Sequence, residues 1–232
     1  MIINPYAFGG GSGSGYLDGI TPAPTAVLSL RKMISTATQA IRVRRSSDNA
    51  EQDIGFTGNA LDTAALASFV GANSAYVTTF YDQTGNGYPK TQTTAANQPR
   101  IVNAGVYDGM LVYDGTNSSM VTPTLPFGTS FIGLYLNAVL PQVSGTKVYY
   151  ESTSDYNGGP GRFLVFEDSS QLQIAFRTPI PSYWTRTYSY NPLALEQVTL
   201  LLQTAAIDST TAQQMLYEGG SFLTPASAVG TP

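Results

Sequence analysis

From Gly71 onward the chain is cut into short runs that carry strand-type residues and end in turn residues. The runs fall at 75–81, 110–113, 131–140, 147–151, 162–167, 172–177, 184–190, 197–203 and 213–217. Many short strands at such spacing bury their apolar faces by packing as a sandwich or jelly roll. The composition agrees, with 23 Gly and 14 Pro to turn the chain and only 11% charged residues. So few charges disfavour long solvated helices and coiled coils. No fixed-period repeat is present, which argues against propellers and solenoids. At 232 residues the chain is long enough to bury its own core.

Before Gly71 the pattern is mixed. Residues 28–34 predict a short helix, with Ser29 as cap and Leu30, Met33 and Ile34 on one face. Residues 39–45 alternate, with Ile41 and Val43 on one side and Arg42 and Arg44 on the other, as in a half-buried strand. Asp62 reads as the N-cap of a second helix over 63–70 that stops at Gly71, with Leu66, Phe69 and Val70 as its apolar stripe. The expected fold is therefore all-β with one or two short helices near the N-terminus.

Residues 9–15, GGGSGSG, form a linker behind an apolar opening that includes Ile2, Ile3, Tyr6 and Phe8. Those four side chains suit an arm that docks on another chain. The expected organisation is an arm and linker over 1–24 and one domain over 25–232. In jelly rolls a segment like 214–220 is usually followed by several more strands, so the expectation is either a fragment or an exposed edge that a neighbouring chain completes.

Eleven basic and 15 acidic residues give a net charge of −4 with no long run of either sign. Such a surface releases no phosphate counterions, so nucleic acid is not an expected partner. No stretch approaches the ~20 apolar residues that cross a bilayer, and residues 1–8 do not resemble a secretion signal. The expectation is a product made without secretion, with no membrane partner. Asn117-Ser118-Ser119 then reads as a turn and not a glycosylation site.

There is no Cys and no His. That removes disulfides, thiolate metal sites, Ser-His-Asp hydrolysis and neutral-pH imidazole switching. No cofactor and no metal are expected. Asp48, Glu51 and Asp53 lie close together in sequence, but Arg42, Arg44 and Arg45 are nearby, which favours ion pairing over catalysis.

Four segments carry a family resemblance. They are Phe80-Tyr81-Asp82-Gln83-Thr84-Gly85-Asn86-Gly87, Thr91-Gln92-Thr93, Asn97-Gln98-Pro99-Arg100-Ile101 and Val112-Tyr113-Asp114-Gly115-Thr116. In this order they resemble the signature of concanavalin A-like, or laminin-G-like, jelly rolls. Upstream, Ser29-Leu30-Arg31-Lys32, residues 41–48 and Asp53-Ile54-Gly55-Phe56 are similar to the N-terminal part of the α-L-arabinofuranosidase B catalytic module. The resemblance covers residues ~26 to 122 and implies the same sandwich fold. Glycoside hydrolysis would need two carboxyl groups about 5 to 10 Å apart, which that family supplies from later strands. Its paired cysteines are absent. Independently of the resemblance, Gly85 and Gly87 can take positive φ while Asp82 and Asn86 bond across the turn, a structural latch. Two oxygen donors fall far short of the six to eight that calcium takes.

The opening INPYAFGGG resembles the start of tailed-bacteriophage virion proteins. Taken with the jelly roll, it implies a non-enzymatic head or tail appendage, a tail-fibre or capsid-decoration protein for host attachment, assembled in the host bacterial cytoplasm. Its expected partners are other virion proteins through residues 1–15, a host surface glycan and further copies of the chain. Sandwiches grip sugars with aromatic faces beside amides, which nominates Trp184, Tyr183, Tyr188, Tyr190 and Asn157; core or cross-strand packing would explain the same aromatics. The alternative is a glycoside hydrolase related to the arabinofuranosidases.

Overall fold

The computed structural model describes residues 15–21 and 23–125, and beyond them the backbones of the strands named below. The chain divides into two compact units, Met1–Leu125 and Pro126–Pro232. It is all-β and antiparallel, of the jelly-roll class, with one α-helix among the described residues.

In the first unit the strands are β1 (Gln39–Arg45), β2 (Glu51–Thr57), β3 (Ala60–Leu61), β4 (Ala75–Phe80), β5 (Lys90–Thr91), β6 (Arg100–Asn103) and β7 (Val106–Val112). They form one sheet in the order β3-β2-β1-β4-β6-β7, with β5 pairing alongside β4. The alternation read in residues 39–45 holds: Ile41 and Val43 are fully buried, whereas Arg42 and Arg44 are only partly covered. Across the ladders Ile41 faces Ile54 and Val43 faces Val77, so the apolar faces of β1, β2 and β4 coincide. Leu61, Leu66, Val70, Ile101 and Val102 complete the core.

The helix α1 (Thr63–Val70) has the boundaries its caps dictate. Asp62 Oδ1 accepts from Ala65 N at 2.9 Å, and Gly71 ends the helix with φ 58°. Leu66 and Val70 are buried and Phe69 packs at the core margin.

The helix expected at 28–34 does not form. Its backbone polar groups find partners elsewhere in the fold: Lys32 N donates to Asn59 O at 3.1 Å, Leu17 N donates to Met33 O at 2.8 Å, and Arg31 bridges to Ala60. Ser29 Oγ accepts from Arg31 N at 3.0 Å, closing a turn instead of a helix. Strand β2 carries little strand signal because it opens Glu-Gln-Asp and contains Gly55. That glycine is required by space, since a Cβ there would collide with the Thr38 carbonyl oxygen.

The second unit contains β8 (Ile132–Leu140), β9 (Lys147–Glu151), β10 (Arg162–Asp168), β11 (Gln171–Arg177), β12 (Tyr183–Tyr188), β13 (Glu196–Thr204), β14 (Gln214–Glu218), β15 (Ser221–Leu223) and β16 (Ser227–Val229). They make two sheets, ordered β16-β12-β11-β10-β9 and β15-β14-β13-β8. Most lie within two residues of the runs read from sequence. Residues 221–229 add one strand to each sheet, β15 on β14 and β16 on β12, where each stands at the end of its sheet.

Candidate functional site

The motif Phe80–Gly87 begins at the end of β4 and clasps the irregular segment 23–38. Asp82 Oδ1 accepts from Val27 N at 2.9 Å and from Thr84 N at 3.0 Å, while Oδ2 accepts from Tyr88 N at 3.2 Å. Thr84 Oγ1 lies 2.8 Å from each carboxylate oxygen. Asn86 Nδ2 donates to Thr25 O at 3.0 Å, and Gly85 and Gly87 take φ 78° and 85°. Gln83 is the residue that sequence reasoning missed. It is buried, its Oε1 accepts from Met33 N at 2.7 Å and from Ile34 N at 3.3 Å, and its Nε2 donates to Ser29 O and Arg31 O at 2.9 and 2.8 Å. A glutamine flanked by Asp and Thr in a turn carries no sign of burial until its partners are placed.

The other motif residues do similar work. Gln98 is buried; it accepts from Arg44 Nε at 2.7 Å and donates to Gln92 O at 3.0 Å. Gln92 Nε2 reaches Ser119 O at 2.9 Å. Asp114 Oδ1 accepts from the backbone nitrogens of Thr116, Asn117 and Ser118 at 2.9 to 3.0 Å. The Ser118 hydroxyl and these amides hold the Asp114 carboxyl well below the usual carboxylate range.

A second polar cluster lies on the face of the sheet away from the core. Arg42 Nε donates to Glu51 Oε2 at 2.7 Å and its Nη1 donates to Asp53 Oδ1 at 3.0 Å. Tyr81 Oη donates to Asp53 Oδ1 at 2.7 Å, and Gln39 Nε2 donates to Asp53 Oδ2 at 3.0 Å. The two carboxylates raise the Arg42 pKa, and burial, then the Asp53 bond, raises that of Tyr81. Nearby, Arg45 pairs with Asp48 at 2.6 Å and lowers its pKa to about 2. The Asp48, Glu51 and Asp53 carboxylates thus stand in ion pairs.

The same holds throughout residues 15–125. Asp62 caps α1, Asp108 pairs with Arg100 at 3.0 Å, and Asp18 accepts from Gly15 N and Ser35 N at 2.8 and 3.1 Å. With the clasp, the Asp114 turn and the Arg pairs, every acidic side chain of that span is engaged. Among the described residues no group of three His, Cys, Asp or Glu could hold a metal ion, and no helix is long and apolar enough to cross a membrane.

Of the nominated aromatics, Tyr183, Trp184 and Tyr188 are positions of β12, in register with Arg177, Phe176 and Leu172 of β11. Tyr183 and Trp184 are successive positions and so belong to opposite faces of the sheet, whereas Trp184 and Tyr188 share one. Tyr190, Asn157 and the arm residues Ile2, Ile3, Tyr6 and Phe8 lie outside the described residues.

The family model "Alpha-L-arabinofuranosidase B, catalytic" matches residues 15–122. This span is similar to that catalytic module. A GH54 α-L-arabinofuranosidase soaked with a cyclic sulfate inhibitor superposes over 90% of the chain with a TM-score of 0.51 at 16% identity. A glutamate-to-glutamine mutant of a GH54 α-L-arabinofuranosidase, soaked with 4-nitrophenyl α-L-arabinofuranoside, aligns over 90% of the chain at 15% identity with a TM-score of 0.46. The chain spans 55% of the length of each. No curated protein matches it.

These similarities correct the reading of a non-enzymatic virion appendage, with its tail-fibre, capsid-decoration and host-attachment roles. The matched family model is of an arabinofuranosidase catalytic module, and the structure that superposes with a TM-score of 0.51 is an arabinofuranosidase. The INPYAFGGG opening that carried the phage resemblance lies outside both the matched span and the described residues. Nor does the absence of Cys and His exclude glycoside hydrolysis, which requires only two carboxyl groups.

Proposed function

We propose that the chain is a glycoside hydrolase module that cleaves arabinofuranosyl linkages and draws its carboxyl pair from residues 126–232. The match of residues 15–122 to the arabinofuranosidase catalytic model carries this reading. The location follows from chemistry: the pair needs one carboxyl as acid and one as nucleophile or base, about 5 to 10 Å apart. In residues 15–125 such groups are held by backbone amides, hydroxyls or arginines.

Seven acidic residues remain, of which Glu151, Glu167, Asp168, Glu196 and Glu218 stand on strands and Asp155 and Asp208 lie outside the described residues. Glu151 is in register with Leu164, and Asp168 is four positions further along β10, about 13 Å away at the rise of a strand. Those two backbone positions are further apart than the pair's ~5 to 10 Å, and Glu167 falls on the opposite face from Glu151.

The test is release of 4-nitrophenol from 4-nitrophenyl α-L-arabinofuranoside, with the α-L-arabinopyranoside and β-D-xyloside as controls. Turnover of the furanoside alone is the expected result. No release from any of the three overturns the reading.

A further inference from the structure

We infer that Asn86–Gly87 is a spontaneous deamidation site whose conversion unfastens the Thr25 end of segment 23–38 from the clasp. Asn86 and its two flanking glycines are exposed at the tip of the motif turn. Gly87 lacks a Cβ to shield its nitrogen, sits at φ 85°, and its N–H donates to no acceptor among the described residues. An unbonded amide next to an exposed asparagine side chain is the arrangement that cyclises.

In the reaction the Gly87 nitrogen, losing its proton to solvent base, attacks Asn86 Cγ. The Cγ–Nδ2 bond breaks, ammonia leaves, and a five-membered imide forms. One water then opens the ring, giving isoaspartate if the backbone C–N bond breaks or aspartate if the Cγ–N bond breaks. No other reactant is needed.

The location gives the modification its consequence. Asn86 Nδ2 donates at 3.0 Å to Thr25 O, supported only by a 3.4 Å approach of Thr84 Oγ1. Either product replaces that donor with a carboxylate, which repels the Thr25 carbonyl and adds negative charge to the turn that holds Asp82. Isoaspartate also lengthens the backbone by one carbon, shifting Tyr88 N from its 3.2 Å bond with Asp82 Oδ2. The Gln83 bonds to residues 29–34 lie beyond the turn and persist, so the segment opens from its Thr25 end.

The chain contains one other Asn-Gly pair, Asn157–Gly158, which serves as an internal reference. The experiment ages the purified protein in mildly alkaline buffer, maps acid-converted peptides and isoaspartate, and follows amide exchange at Val27 and Met33. The expected result is conversion at Asn86, with Val27 exchange about fivefold faster, the scale of one lost hydrogen bond, while Met33 is unchanged. Fresh Asn86→Asp should reproduce the Val27 effect, and aged Asn86→Gln should not show it. The inference is overturned if Asn86 keeps its amide while Asn157 converts, or if conversion, or fresh Asn86→Asp, leaves Val27 exchange unaltered.

Discussion

Among the described residues, side-chain clasps are seen in the first unit and long ladders in the second. In the first, β3 and β5 are two residues long and the loops between strands are fastened by buried side chains that bond to distant backbone. In the second, the described elements are long ladders: β8 and β13 pair over nine residues, and β10 and β11 over seven. A ladder asks only for strand-compatible residues, because backbone groups satisfy one another. A clasp asks for one particular side chain, since only a glutamine at position 83 offers one acceptor and two donors to four backbone groups.

The largest expected effect breaks the clasp. Gln83→Ala leaves partly buried N–H and C=O groups of residues 29–34 without partners and should cost about 3 kcal/mol in denaturant unfolding. It should deprotect the Met33 and Ile34 amides in exchange while leaving the β10–β11 ladder intact; equal loss in both places contradicts the division between units. Asp62→Ala removes a cap from α1 and should cost about 1 kcal/mol by the same measurement.

Smaller still is Glu51→Gln, because the Arg42 pair is more than a third exposed on both sides. Its expected cost is under about 1 kcal/mol, and it should shrink further in high salt. The acid limb of stability gives the gentlest test. Asp48 titrates at about 2 in the folded chain, below the ordinary carboxylate value of 3.8. Its contribution is complete above that ordinary value and is lost as pH falls through the folded one. Thermal melts from pH 5 to pH 2 should show Asp48→Asn losing less stability than wild type, the two curves converging at the acid end.

Much of this fold can be read from the chain. The caps of α1 and the alternation in β1 are local signals, and the strands of the second unit follow turn punctuation. The failures are non-local. Residues 28–34 have a helical pattern, yet Gln83, Asn59 and Ala60 supply partners that no window of sequence contains. Asp82 and Asn86 read as latch residues from the sequence, but the roles of Gln83 and Gln98 do not show until the backbone groups and the arginine they serve are placed. Absence of His and Cys, in turn, excluded several chemistries without bearing on carboxylate catalysis.

Amide substitution at every acidic position, followed by the furanoside assay with each variant's fold checked by its melt, tests the central claim most directly. Glu51→Gln and Asp53→Asn are predicted to keep their activity, and two positions after residue 125 to lose about a hundredfold or more. Loss of turnover in folded Glu51→Gln or Asp53→Asn, with all seven later positions tolerant, would contradict it.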